Sequence, residues 1–220
     1  MPPEPPQPWA GVREASAYAG HAWQLPNRPA RRPVLETLLG PPDTTPEGED
    51  CLTLNVWTPG LGDGARRPVM VWLHGGAFGY GSGNRAVTDG ANLARRGDVL
   101  VVSVNHRLNI FGFLELADLG GPAWAHSGNA GVLDLVAALG WVRDNIALFG
   151  GDPRNVAIFG ESGGGGKVSV LFRCRRRDGC SIARSSRAAR RSGYRPASGR
   201  TRWPKPCLRR SAYDPASASG

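Results

Sequence analysis

Three short runs in the middle of the chain are almost unbroken in apolar character: Pro68–His74 (PVMVWLH), Val99–Val104 (VLVVSV) and Val156–Phe159 (VAIF). Runs of this length without polar alternation predict strands covered on both faces. Glu49–Pro59 (EDCLTLNVWTP) instead alternates apolar and polar residues, the pattern of a strand with one wet face. Between the last two runs, Val132, Val136, Leu139, Val142 and Ile146 recur every three or four residues and predict a helix over Gly131–Leu148. A shorter helix is expected over Asp89–Arg96. Glycine-rich turns separate these elements: GLGDGARR, GGAFGYGSG and FGGDPRN. Strands alternating with helices predict an α/β fold with a mostly parallel sheet. Met1–Pro8 is proline-rich and extended, and Gln24–Gly48 reads as loop. The expected organisation is a lead-in segment over 1–48, a partial α/β domain over 49–170 and a separate tail over 171–220.

Charge changes that picture at one point. The net charge of +9 is not spread along the chain: 14 of its 27 Lys and Arg lie in 171–220 with two of its 18 acidic residues, and the remainder carries −3. The basic excess therefore describes the tail and not the expected domain. The 31 glycines and 19 prolines fit the many turns. No apolar run approaches the about 18 residues of a membrane span, so no membrane association is expected. The first residues lack the basic and apolar regions of a secretory signal. Of Cys51, Cys174, Cys180 and Cys207, no two have zinc-ligand or redox spacing. A reduced, cytoplasmic setting is the expectation.

The run VAIFGESGGGGK carries the candidate chemistry. Its end resembles a phosphate-binding loop, GxxxxGK[ST], but the register fails: Glu161 stands where the first glycine belongs, and Val168 where Ser or Thr belongs. Gly160, Glu161, Ser162, Gly163 and Gly164 fit G-x-S-x-G, the nucleophile elbow, between a strand and an expected helix. On such a turn the serine hydroxyl projects above the sheet, and side chains two residues to either side would meet backbone. The N–H of Gly163 can then face a developing oxyanion. A glycine-rich strand–helix turn with no chemistry remains the alternative. His74–Phe78 (HGGAF) follows a buried strand, where an oxyanion loop would stand; alone it reads more readily as a plain turn.

EDCLTLNVWTP, HGGAF, VSVNHRLNIFGFL and GNAGVLDLVAALGWVRDNIALFGGDPRNVAIFGESGGG occur in the order and near the spacing of type B carboxylesterases, and PPEPPQPWAGVREASAYAG resembles the segment before them. The resemblance runs from about Pro2 to Leu171. It implies the N-terminal part of an α/β-hydrolase fold and hydrolysis of small-molecule carboxylic esters through an acyl intermediate on Ser162. Gly76, Ala77 and Gly163 would supply oxyanion N–H groups, and Gly75 would let the loop approach closely. Gly163 stands where many relatives have alanine, a change that keeps the backbone donor. The resemblance further implies a buried Glu161, structural charges Glu49, Arg107 and Asp152 paired under the sheet, and a free buried thiol at Cys51. Leu135 replaces a glutamine common in relatives. No metal or organic cofactor is implied.

A hydrolase of this fold uses serine, acid and histidine in that chain order. His21, His74, His106 and His126 all precede Ser162, and neither histidine nor glutamate follows it. The triad's acid and histidine are thus expected to be missing, both ends of the family pattern to be cut short, and esterase activity to be weak or absent. The tail has two readings. As a basic block it could bind nucleic acid or an anionic surface, around a non-catalytic α/β fragment. As a shifted reading frame, codons for Gly179–Ala188 (GCSIARSSRA) can be rephased to LFHRAIVQS, which resembles the relatives at this distance beyond the serine. The whole chain's 25 Arg against 2 Lys fit a GC-rich gene. The shifted frame, with a disordered tail, is the favoured expectation.

Overall fold

A computed structural model describes residues 1–25 and 40–178, apart from 6, 8 and 42, with side chains described as far as Arg173. The tail beyond Asp178, and with it both readings of its arginines, lies outside the described residues.

A four-stranded sheet forms the centre. Its strands are β3 (Leu54–Trp57), β4 (Arg67–Leu73), β5 (Leu100–Val104) and β6 (Gly151–Gly160), in the order β3-β5-β4-β6. β4 runs parallel to both β5 and β6, whereas β3 is antiparallel to β5. A two-residue parallel pair, β1 (His21–Ala22) with β2 (Glu47–Gly48), stands apart from it. The helices are α1 (Ala91–Gly97), α2 (Asn109–Phe113), α3 (Ala117–Gly120), α4 (Ala130–Asn145) and α5 (Gly163–Asp178).

One face of the sheet carries the core. Val69, Val71 and Leu73 of β4, Leu100, Val102 and Val104 of β5, and Val156 and Ile158 of β6 pack against Val132, Leu135, Leu139 and Val142 of α4, Ile146 just beyond it, and Val168 and Leu171 of α5. Fully burying one such side chain contributes roughly 1.5–3 kcal/mol, so this layer supplies much of the fold's stability. Leu135 lies in it, as an apolar residue should.

The opposite face departs from the expectation of strands covered on both sides. All of β5 is buried, but Met70 and Trp72 of β4 and Ala157 and Phe159 of β6 are only half-buried. Alternate residues of a strand face opposite ways, and here only the α4–α5 side is fully packed. Trp72 and Phe159 rest against one another, ring centres 5.1 Å apart.

Other boundaries moved for identifiable reasons. The β3 ladder begins at Leu54, because Cys51 and Thr53 donate hydrogen bonds to the carbonyls of Glu49 and Cys51 in tight local turns. β6 begins at Gly151, through the expected turn, with a register shift opposite Arg67–Val69. The helix after Ser162 continues past Leu171, whose side chain belongs to the core, into the first arginines. Cys51 is buried with Ala22 and Leu108 as a free thiol. Burial pushes its pKa up to about 11, with the charge of Asp134 acting in the same direction.

The structural charges also differ from the expected set. Glu49 is exposed. Arg107, just beyond β5, makes a two-pronged pair with Asp134 of α4: Nε to Oδ2 at 2.9 Å and Nη2 to Oδ1 at 2.6 Å, with its backbone N–H to Oδ2 at 3.0 Å. Asp152 sits at the opposite end of the sheet, where Gly151 pairs with Arg67, and meets Arg66 at 3.2 Å and Arg154 at 3.6 Å. Arg107 and Asp152 are thus held at opposite ends of parallel strands and share no network.

Candidate active site

Parallel strands bring their C-terminal ends to one edge of a sheet, which is where α/β proteins assemble their sites. Leu73 pairs with Gly160 at that edge, so the chain leaves β4 and β6 side by side. What leaves β4 is HGGAF; what leaves β6 is the Ser162 turn.

Ser162 is exposed at the turn and has φ 54°, a left-handed conformation that a serine adopts only under local constraint. The constraint comes from the glycines. A Cβ on Gly160 would stand 2.5 Å from the Leu73 carbonyl oxygen, and one on Gly164 would overlap that same oxygen. The strand exit and the first turn of α5 thus pinch together against the end of β4, and the serine caps the pinch. Gly164 N–H donates to the Glu161 carbonyl at 2.8 Å, closing the turn.

The HGGAF loop lies directly on this turn. A Cβ on Gly75 would be 3.0 Å from Glu161 Oε2 and 3.6 Å from Ser162 Cβ. Gly76 has φ 81° and Ala77 φ 54°. A Cβ on Gly76 would overlap the Tyr80 carbonyl oxygen, whereas Gly76's own carbonyl accepts the N–H of Tyr80 at 3.0 Å. Gly163 is in contact with Ala77: a methyl on Gly163 would overlap the Ala77 backbone. Glycine at position 163 therefore admits the loop more closely than alanine would. Glu161 is exposed, against the expectation of burial, although one carboxylate oxygen lies beside Gly75 of the loop.

Buried polar side chains hold the far end of the loop, none of them foreseen from the sequence. Gly81 exchanges two hydrogen bonds with the Gln24 amide, at 2.8 and 2.9 Å. Gly83 N–H donates to Asn105 Oδ1 at 2.7 Å, and Ser103 Oγ donates to the Gly83 carbonyl at 2.7 Å. Asn55 and Asn105 both donate to Asn84 Oδ1. Ser82 donates to Asp43, which faces the buried His21 at 3.4 Å. The polar members of VSVNHR, otherwise odd in a buried strand, are the signal that marks this network.

Behind the loop stand two histidines and a lysine. The rings of His74 and His106 stack with centres 4.9 Å apart. Each directs Nδ1–H to a backbone carbonyl, His74 to Gly75 at 2.9 Å and His106 to Arg107 at 2.7 Å, which fixes both tautomers. Burial, and then the charge of Lys167, lowers His74 well below the ordinary histidine range and His106 to about 3. Lys167 of α5 is buried too, and burial lowers its pKa to about 7.

The turn leaves Ser162 exposed beside the Gly75–Ala77 loop. The geometry does not show a base for the serine: among the described residues, no histidine nitrogen lies within hydrogen-bond distance of Ser162, and His21, His74 and His106 are occupied in the interior. The described residues contain no group of three or more His, Cys, Asp and Glu placed to hold a metal ion. No helix among them is long and apolar enough to cross a membrane.

The chain is similar to known esterases. The family model described as "Carboxylesterase family" matches residues 1–183, reaching beyond Leu171. Para-nitrobenzyl esterase of Bacillus subtilis (strain 168) is 44% identical over 170 residues, 77% of this chain and 32% of the relative. Carboxylesterase 3B of Mus musculus is 48% identical over 174 residues, 77% of this chain and 28% of the relative. The solved structure of a Clostridium hathewayi esterase that can hydrolyse aliphatic aromatic polyesters superposes with a TM-score of 0.75 at 48% identity, over 85% of this chain and 36% of that one. The chain spans about a third of the length of these relatives. On a family match over 183 of its 220 residues, the chain belongs to the carboxylesterase family.

Proposed function

We propose that the described region is the nucleophile-bearing part of a serine esterase, acting on small-molecule carboxylic esters. Ser162 Oγ attacks the ester carbonyl, the alcohol departs, and the acyl group stays on Ser162 until water removes it. The N–H groups of Gly76, Ala77 and Gly163 take up the charge on the carbonyl oxygen. The observation that carries this reading is Ser162 at φ 54° between two glycines that can have no side chain, with the Gly75–Ala77 loop in contact with it.

The proton of Ser162 needs an acceptor, and the described residues place no histidine there. Loss of a triad member lowers turnover by about 10⁴-fold or more, leaving the smaller effect of the oxyanion donors and binding. The 220-residue chain should therefore hydrolyse a para-nitrophenyl ester slowly, and Ser162→Ala should remove what rate there is. Brisk turnover, or a slow rate that survives Ser162→Ala, would contradict this.

A further inference from the structure

Lys167 sits on the first turns of α5 with only 1% of its surface exposed. A lysine so placed is rare, because desolvating an ammonium group is costly unless something replaces its water. Its Nζ donates to the His74 carbonyl at 2.9 Å and stands 5.8 Å from the centre of the Phe78 ring. His74 and Phe78 bracket Gly75, Gly76 and Ala77. The helix carrying Lys167 is otherwise bare where the loop crosses it: Gly163 lies under Ala77, and a methyl on Gly166 would only just touch the Phe78 ring, at 3.9 Å. Phe78 is further fixed by its carbonyl, which accepts the Asn109 N–H at 2.8 Å, and by the Phe113 ring, 5.0 Å away edge-on.

We propose that Lys167 is a positioning residue for the oxyanion loop: it binds the loop's two ends, the His74 carbonyl and the Phe78 ring, to the helix that begins at the Ser162 elbow. Below about pH 7, where the buried amine carries its proton, a hydrogen bond from a charged donor fixes the entry to the loop, and attraction between a cation and a ring face fixes the exit; above that pH the neutral amine keeps the hydrogen bond alone. The run of glycines beside it provides a floor without side chains, so the loop can settle onto the helix and the lysine holds it there. The N–H groups of Gly76 and Ala77 are thereby kept at one place over Ser162, as preorganised oxyanion stabilisation requires. The groups facing Lys167 are the stacked His74 and His106, both held neutral in the interior, so no carboxylate competes with the carbonyl for the ammonium. The assignment of this loop as an oxyanion site rests on the esterase reading above; the clamp itself does not.

Amide hydrogen exchange on the full chain tests the clamp without requiring activity. Native protein is compared with Lys167→Met, which keeps length and bulk but loses donor and charge, and with Lys167→Gln, which keeps a shorter donor. At pH 6, exchange of the Gly79 and Tyr80 amides, which both donate to the Gly76 carbonyl, should quicken about tenfold or more in Lys167→Met, while β4 and β5 stay protected, and Lys167→Gln should recover part of that protection. Unchanged exchange at Gly79 and Tyr80 in Lys167→Met would overturn the proposal. So would a loosening spread equally over β4, β5 and α5, since that would make Lys167 a general packing residue. Failure of Ser162 to react with a fluorophosphonate in parallel samples would count against the esterase reading alone.

Discussion

A methyl group at Gly164 would overlap the Leu73 carbonyl oxygen, which is backbone and cannot swing aside, whereas at Gly166 it would meet only the edge of the Phe78 ring at an ordinary 3.9 Å. The same substitution should therefore have opposite effects two residues apart. Gly164→Ala forces β4, β6 and α5 apart and should destabilise the fold by about 2 kcal/mol or more. Gly166→Ala, inside a helix with room for a methyl, should be neutral or stabilise by about 0.5–1 kcal/mol. Denaturant midpoints of the two variants check this; equal effects would mean the elbow is not pinched as described. At this scale, the glycines of the elbow could be read from the sequence because their reason is local. The exposure of Glu161 and the clamp on Lys167 could not, since each depends on which distant segment crosses the helix. The lysine entered the sequence reading only through the phosphate-loop pattern it fails.

Among the elements, the ends of β4 and β5 and the start of α5 concentrate three buried basic groups whose proton affinities are lowered by burial first. Their effects on stability have the same sign in different pH windows. His74 and His106 stay neutral in the folded chain while the unfolded chain takes up protons below about pH 6.5, so stability falls as pH drops from there towards about 3 for His106. The slope is about 1.4 kcal/mol per pH unit for each histidine. Lys167 loses its proton near pH 7 when folded and near 10.5 when unfolded, so its contribution grows as pH rises between those values and is lost on the way down. Stability of the native chain minus that of Lys167→Met should rise by about 1.4 kcal/mol per pH unit above pH 7. Denaturant titrations at several pH values measure it, and a flat difference would show that the folded lysine keeps its proton.

A second element-scale contact joins β5 to α4. Removing the Arg107 side chain leaves the almost fully buried Asp134 carboxylate unpaired, and loss of one partner of a buried pair costs about 3–5 kcal/mol. Because Arg107 itself is partly exposed, Arg107→Ala should fall at the low end of that range in thermal or denaturant unfolding; a loss below about 1 kcal/mol would mean the pair is not formed in solution. The pairing also shows where sequence reading reached its limit. Strand β3, strands β4 and β5, and helix α4 were legible because a period of two, an unbroken apolar run and a period near 3.6 respectively each reflect local burial. Asp134 gave no sign, being one acid in a helix, and its partner lies 27 residues away. The short helices α2 and α3 were missed because their apolar residues, Ile110, Phe111 and Leu119, point to solvent and set no periodic face.

On the scale of the whole molecule, the described sheet is packed on one face and part-covered on the other. Trp72 and Phe159 are half-buried there, and Ile110, Phe111, Leu114, Leu119 and Trp124 add exposed apolar surface on the segments after β5. β6 is an edge strand of the described sheet, ten residues long. Long edge strands and open apolar surface favour self-association. Sedimentation of the 220-residue chain should therefore show mass that grows with concentration, together with strong binding of a dye for apolar surface. A monomer with a sharp unfolding transition and no dye binding would count against this picture.

The central claim is that Ser162 is the nucleophile, and a fluorophosphonate probe with peptide mapping tests it most directly, because the phosphonyl–serine bond persists even when turnover is slow. The account predicts one adduct per chain on the peptide containing Ser162, formed slowly for want of a neighbouring base, and absent in Ser162→Ala. An adduct on another residue, or none on native protein after prolonged exposure, would contradict it.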